Sequence, residues 1–272
     1  MDKLNIKGAP WIMILGPKGA GKTRLSATFP QTLCLDTEAP GAASAFPDEY
    51  RISFAPTTGM YKEVVDVVSK ISKEHKKGDR CIIWKELPIS AISIDTFDTL
   101  QKFLLSRYLS GSNKIKRPNW IKADEIWAPK MEIQDWGMIL NYQAPLIADL
   151  KTLPIPVIWV CHTKTVNPLY EGRGENYHCK MKGSRSPDVS GSIEGWIVNL
   201  CDYVLNITIG ENNTRKVYTL PTIVDDYEIT AADRHRLFKN EEQNMSSFDM
   251  PVGPDGFPQR KVIQYITDNH VY

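Results

Sequence analysis

Cysteine is scarce: five residues in 272, at Cys34, Cys81, Cys161, Cys179 and Cys201, with no Cys-x-x-Cys pair. An odd number at wide spacings speaks against a disulfide framework and points to a reducing cytoplasm. The doublets Cys161-His162 and His178-Cys179 would offer four zinc ligands. Adjacent strand residues point to opposite faces, however, which works against their convergence. No apolar run approaches the roughly 18 residues needed to cross a bilayer, so no membrane partner is expected. The opening Met1-Asp2-Lys3-Leu4-Asn5 lacks the charged-then-apolar layout of a secretory signal. Excess charge is also missing. Lys plus Arg is 33 and Asp plus Glu 32, net +1, so contact with a polyanion has to come from local patches. Repeats and low-complexity blocks are absent. What is present, 42% hydrophobic, 10% aromatic and 24% charged residues, excludes disorder throughout and suffices for one α/β core.

The first strong element is the apolar run Trp11-Ile12-Met13-Ile14-Leu15, which stops at Gly16. A helix pattern starts at Gly21-Lys22 and ends before Pro30, and a second strand, Thr32 to Asp36, follows. This spacing reads as a parallel βαβ unit. Further strands are expected at 51–54, 81–84, 91–95, 156–161, 203–209 and 216–220. Helices are expected at 61–75, from Phe97 to about Tyr108, from Ile133 to Leu153 (bent near Pro145) and at 192–200. Residues 111–129 read as irregular. Residues 163–191, rich in Gly, Ser, Lys and Arg, read as a long loop, a kind that is usually functional or disordered. The expected architecture is an α/β phosphate-loop core over residues 1–238, with a mostly parallel central sheet flanked by helices. Residues 239–272 are expected as a partly ordered extension.

Gly16-Pro17-Lys18-Gly19-Ala20-Gly21-Lys22-Thr23 fits G-x-x-x-x-G-K-[ST]. Glycines let the backbone curl so that successive N–H groups face one anion, and the following helix adds its positive end. Lys22 would neutralise the β- and γ-phosphates, the Thr23 hydroxyl would hold Mg²⁺, and Arg24 extends the ATP-binding segment. This composition gives a chance match about 0.01 times per chain, and the required strand-before, helix-after context is present.

Ala91-Ile92-Ser93-Ile94-Asp95 is a second apolar run ending in an acid. Asp95 at such a strand end reaches Mg²⁺. It could also cap the next helix, a job Asp98 could do instead. Leu33-Cys34-Leu35-Asp36-Thr37-Glu38 ends in acids too, and Glu38 is the candidate base for the attacking water. His162 ends the strand after the long helix and is the candidate γ-phosphate sensor.

Taken together these residues resemble the RecA-like ATPases, and within them the compact phage-encoded, core-only RecA/RadA relatives acting in single-strand annealing recombination. The resemblance spans roughly residues 8–238. It rests on the phosphate loop, on Asp36-Thr37-Glu38, on Asp95-Thr96, on His162 and on Ser190-Gly191-Ser192-Ile193-Glu194-Gly195-Trp196 as the end of a DNA-binding loop. It implies a homo-oligomer with ATP at the subunit boundary, and a cytoplasmic location in a bacterial host. It also implies that Thr230-Ala231-Ala232-Asp233-Arg234-His235-Arg236-Leu237 sends a basic residue, Arg234, to the neighbour's nucleotide. His162 departs from RecA itself, which has an amide at the sensor position. The short stretch before the first strand leaves no room for RecA's N-terminal arm.

Two segments concentrate cations. One carries Lys114, Lys116, Arg117 and Lys122 around Trp120. The other carries Lys164, Arg173, Lys180, Lys182 and Arg185 against Glu171 and Glu175, with Tyr170 and Tyr177 among them. Cations track a phosphate backbone and interleaved aromatics stack on unpaired bases, although loops are also lysine-rich for solubility alone. The resemblance places two DNA loops here. The expected function is therefore an ATP-hydrolysing, single-stranded-DNA-binding protein of recombination or strand annealing, with a single-strand-binding protein as a candidate partner. A non-catalytic, ATP-gated annealing module and a small-molecule or nucleotide kinase remain as alternatives.

Overall fold

The computed structural model describes residues 4–5, 8–38, 41–57, 59–74, 81–111, 120–123, 126–129, 133–166, 169–171, 178–181, 183–189, 193–210, 214–238, 245–250 and 261–271. The expected α/β architecture with a mostly parallel central sheet is what forms. In chain order the framework is β1 (Trp11–Gly16), α1 (Lys22–Ser26), β2 (Thr32–Asp36), β3 (Arg51–Ser53), α2 (Met60–Glu74), β4 (Ala91–Asp95) and α3 (Phe97–Gly111). It continues with α4 (Ile133–Lys151), β5 (Val157–Val166), β6 (Gly183–Pro187), α5 (Ile193–Leu200), β7 (Tyr203–Ile209) and β8 (Arg215–Tyr218). Last come β9 (Thr222–Val224), β10 (Tyr227–Ile229), β11 (Ser247–Asp249) and α6 (Lys261–Asn269).

Across the sheet the order is β3-β2-β4-β5-β1-β7-β8-β11. The strands from β3 to β7 are parallel, whereas β8 and β11 are antiparallel to their neighbours. All of β1, β2 and β4 is buried, because a parallel sheet is covered on both faces and its strands read as continuous apolar runs. Met13, Leu15 and Trp159 face a core shared with α2, α3, α4 and α5 through Val64, Leu100, Leu146 and Ile197. Ile12, Ile14 and Val160 face the other way, onto Leu25 of α1 and onto Ile263 and Ile266 of α6. Phe97 meets Trp159 edge-on at 4.9 Å, which fixes the start of α3 against β5. The residues after 238 add β11 to the sheet's edge, and Met250 and α6 to the second core.

Several expectations are corrected. Residues 163–191 are not one long loop. β5 continues to Val166 and pairs antiparallel with β6, and Leu169–Glu171 pairs with His178–Met181. Cross-strand backbone bonds hold a polar stretch that carries no apolar period, because one face of an antiparallel pair can meet water. The expected strand at 81–84 forms as Ile82–Trp84, but in a separate hairpin with Leu87–Ile89. Lys85 and Glu86 make its two-residue turn at φ of 48° and 70°. In the region expected to be irregular, Trp120–Ala123 and Ile126–Pro129 pair as antiparallel strands. The expected helix from Ile133 does form, as α4, and contains Pro145.

Candidate active site

The end of β1 and the start of α1 are joined by a tight loop. Gly19 and Gly21 have φ of 79° and 91°, a region side chains rarely adopt. The Ala20 N–H closes onto the Pro17 carbonyl at 3.2 Å. At Gly16 the constraint is space: a Cβ there would lie 2.9 Å from the Ile207 carbonyl oxygen of β7. Lys18 and Gly19 face solvent, Gly16 and Ala20 are buried, and Arg24 lies on α1. Helix α1 has one and a half turns, so the loop's own amides carry more of the positive potential than the helix dipole expected from sequence. The Lys22 side chain is buried, and its ammonium donates to the Pro17 carbonyl at 2.9 Å. Burial pulls its pKa down, against the pull of Asp95, Asp98 and Glu38.

Parallel register sets the acids at one level. Asp36 pairs with Asp95 across β2 and β4, and His162 pairs with Gly16 across β5 and β1. Asp95 is 4% exposed and hydrogen-bonded by the Thr23 side chain. Its Oδ2 has no partner among the described residues. Burial foremost raises its pKa to about 6. Glu38 and Asp36 raise it as well, while Thr23 and Lys22 oppose. A hydroxyl and a carboxylate with an orphaned oxygen are the hard donors Mg²⁺ prefers, so this pair fits that ion.

Glu38 is exposed, yet it is steered. The Thr99 and Thr96 hydroxyls donate to its Oε1 at 3.1 and 3.4 Å. The turn that presents it is locked to the end of β4. The Thr37 N–H donates to the Asp95 carbonyl (2.7 Å), and the Thr37 hydroxyl donates to the Thr96 carbonyl and accepts the Thr96 N–H, both at 2.8 Å. Asp36, fully buried, accepts the Glu38 N–H at 3.1 Å.

His162 does not end its strand; it sits midway along β5. Asp98 holds it, accepting its N–H at 3.0 Å and lying 3.1 Å from Nδ1. Burial alone would raise the Asp98 pKa, but the His162 hydrogen bonds and charge, with Lys102, bring it down to about 2. Nδ1 therefore donates to the carboxylate and Nε2 is left for another partner. One oxygen each from Glu38 and Asp98 and a ring nitrogen of His162 lie within 4.8 Å of one another. Both Asp98 oxygens are engaged by His162, and Lys102 approaches at 3.6 Å, which leaves Asp98 little lone-pair capacity for a cation.

Loop, Asp95, Glu38 and His162 thus meet at the carboxyl ends of the strands, where ligands of open α/β sheets bind. Arg234 does not join them. Its N–H donates to Asp202, whose own N–H donates to Trp11 at the opposite end of β1, and its guanidinium binds the Asn199 carbonyl. Among the basic candidates, Lys164 binds the Val189 carbonyl and pairs with Glu194 at 3.3 Å. Arg185 lies 4.5 Å over the Tyr227 ring, and Lys180 lies on the strand His178–Met181. Lys114, Lys116, Arg117, Arg173 and Lys182 lie outside the described residues.

Sequence reasoning missed Thr37 and Thr99, saw Asp98 only as a helix cap, and missed Arg215. The Arg215 Nη2 donates to the Gly19 carbonyl at 3.4 Å. The spacing Asp95-Thr96-x-Asp98-Thr99 was the available signal for the first group; nothing local marked Arg215.

A family model described as an AAA domain matches residues 9–244. No curated protein matches the chain.

Proposed function

The chain belongs to the AAA domain family and is a P-loop ATPase, and on that premise we propose that it binds single-stranded DNA under ATP control and promotes recombination or strand annealing. The loop amides and Lys22 receive the phosphates of ATP. Thr23 and Asp95 are the residues that would hold Mg²⁺, which supplies charge neutralisation at the phosphates. Glu38, steered by Thr96 and Thr99, takes a proton from the water that attacks the γ-phosphorus. The bond to the β–γ bridging oxygen breaks, giving ADP and phosphate. His162, oriented by Asp98, offers its free nitrogen to the γ-phosphate side.

One observation carries the DNA half of this reading. β5 is a single strand that comes level with Gly16 at His162 and then pairs, through Lys164 and Thr165, with Ser186 and Arg185 of β6. A shift at His162 would reach this basic pair of strands along one continuous backbone. Arg234, remote from its own chain's loop, would act only on the nucleotide of a second copy. That fits the homo-oligomer the RecA-like resemblance implies, and a single-strand-binding protein remains the candidate partner. The test is phosphate release with no DNA, with double-stranded DNA and with single-stranded DNA, together with DNA retention with and without ATP. The expected result is faster release with single-stranded DNA and ATP-dependent retention. Turnover indifferent to DNA, with no ATP-dependent retention, would overturn the DNA reading and leave a P-loop ATPase of another substrate.

A further inference from the structure

Among the described residues, Asp36, Glu38, Asp95 and Asp98 converge on the nucleotide cleft, Arg51 lies 3.9 Å from Asp36 and Lys102 3.6 Å from Asp98. Of the loop's two lysines, Lys22 is buried in the loop and Lys18 faces solvent. A polyphosphate adds several more negative charges. A further cation lies against the loop, from a part of the chain that no motif marks. Arg215 opens β8, directly opposite Ile209 at the loop end of β7. Its carbonyl accepts the Met250 N–H at 3.0 Å, so strands on both sides fix its backbone. Its side chain lies along the loop: a Cβ on Gly21 would stand 3.9 Å from the Arg215 Cδ and 3.3 Å from the Met250 Cε.

The head group is under-used. One long bond, Nη2 to the Gly19 carbonyl at 3.4 Å, ties it to the loop. Its Nε is buried with no partner among the described residues. A buried, unpaired donor on a permanently charged fork is costly unless an acceptor arrives. Lys22 shows the same pattern, its ammonium resting on the Pro17 carbonyl. In both cases a loop carbonyl stands where a phosphate oxygen would serve better.

We propose that Arg215 is a nucleotide-binding residue, a further in-chain cation that takes polyphosphate oxygens of a bound nucleoside di- or triphosphate. This rests on the P-loop ATPase reading. Met250 and β11 pre-position it, which gives the residues after 238 a part in the site.

The experiment is titration of MgATP and MgADP into the full chain, into Lys22→Ala and into Arg215→Ala, Arg215→Lys and Arg215→Gln, each with a matched melting curve. Arg215→Ala is expected to weaken both nucleotides about tenfold to a hundredfold, the scale of a lost charge-assisted hydrogen bond, with Arg215→Lys in between. Arg215→Gln separates charge from mere tethering, since an amide can still donate to the Gly19 carbonyl. It should bind as poorly as Arg215→Ala. Affinity within twofold of wild type in Arg215→Gln or Arg215→Ala would overturn the proposal while leaving the ATPase reading intact. A wild-type chain that binds neither nucleotide would overturn both. Should the variants fail to fold, the wild-type Nε–H resonance of Arg215, followed by NMR, decides. It moves on MgATP addition if the proposal holds, and stays put if it does not.

Discussion

Replacing Asp95 by Asn should make the empty protein more stable while disabling it. Asp95 is 4% exposed, and one of its oxygens has no partner among the described residues. Burial above all, then Glu38 and Asp36, lift its pKa from 3.8 to about 6. Keeping this carboxylate ionised in the fold at neutral pH therefore costs on the order of 3 kcal/mol. Asn removes the charge and keeps an acceptor for Thr23. An unpaired amide gives back about 1 kcal/mol of the gain. The net is a stabilisation of about 2 kcal/mol, or about 5 °C in melting temperature for a chain of this size. The pH dependence is the sharper signature. Between about pH 6 and 3.8 the folded chain holds a proton that the unfolded chain has released. Wild-type stability from this group therefore rises as the pH falls from 7 towards 4, and the variant lacks that rise. The assay is chelator-containing melts of both proteins at pH 7.5 and pH 5, alongside MgATP turnover. A variant less stable than wild type at pH 7.5, or one whose advantage does not shrink at pH 5, would refute the reasoning.

Other substitutions test the rest of the site. Glu38→Gln should keep MgATP binding and lower turnover about 10²- to 10⁴-fold, checked by single-turnover phosphate release; unchanged turnover would remove Glu38 as the base. Gly16→Ala should destabilise by about 1–3 kcal/mol, read from denaturant unfolding, because its Cβ would press on the Ile207 carbonyl at 2.9 Å. Asp98→Asn should lose about 1–3 kcal/mol by weakening both His162 contacts. Because the Asp98 pKa is depressed to about 2, its contribution is present above pH 4 and lost as pH falls towards 2, so the wild-type and variant stability curves should converge there.

What was legible in the sequence was local. β1 and β4 announced themselves as apolar runs ending in Gly16 and Asp95, and the loop's glycines stand where positive φ and close packing demand them. Asp36-Thr37-Glu38 could be read as a strand end because the acids follow the apolar run directly. What was not legible depends on partners far along the chain. Asp98 looks like a helix cap until β5 brings His162, 64 residues later, against it. Thr37 reveals nothing until the β2–β4 register sets it beside Thr96. Arg215 reaches Gly19 across 196 residues, through the antiparallel pairing of β7 with β8. The pairing of β5 with β6 reads as loop in the sequence because the residues that make it are mostly polar and small. An antiparallel pair with a solvated face needs no apolar period, so periodicity could not find it.

The central claim is that the carboxyl ends of β1, β2 and β4 form one MgATP-binding and hydrolysing centre. Calorimetric titration of MgATP into the wild-type chain and into Lys22→Ala, with phosphate release followed on the same samples, tests it most directly. Saturable heat and steady phosphate release are expected from wild type and neither from the variant. Absence of binding heat in the wild-type chain, or equal heat in both, would contradict it.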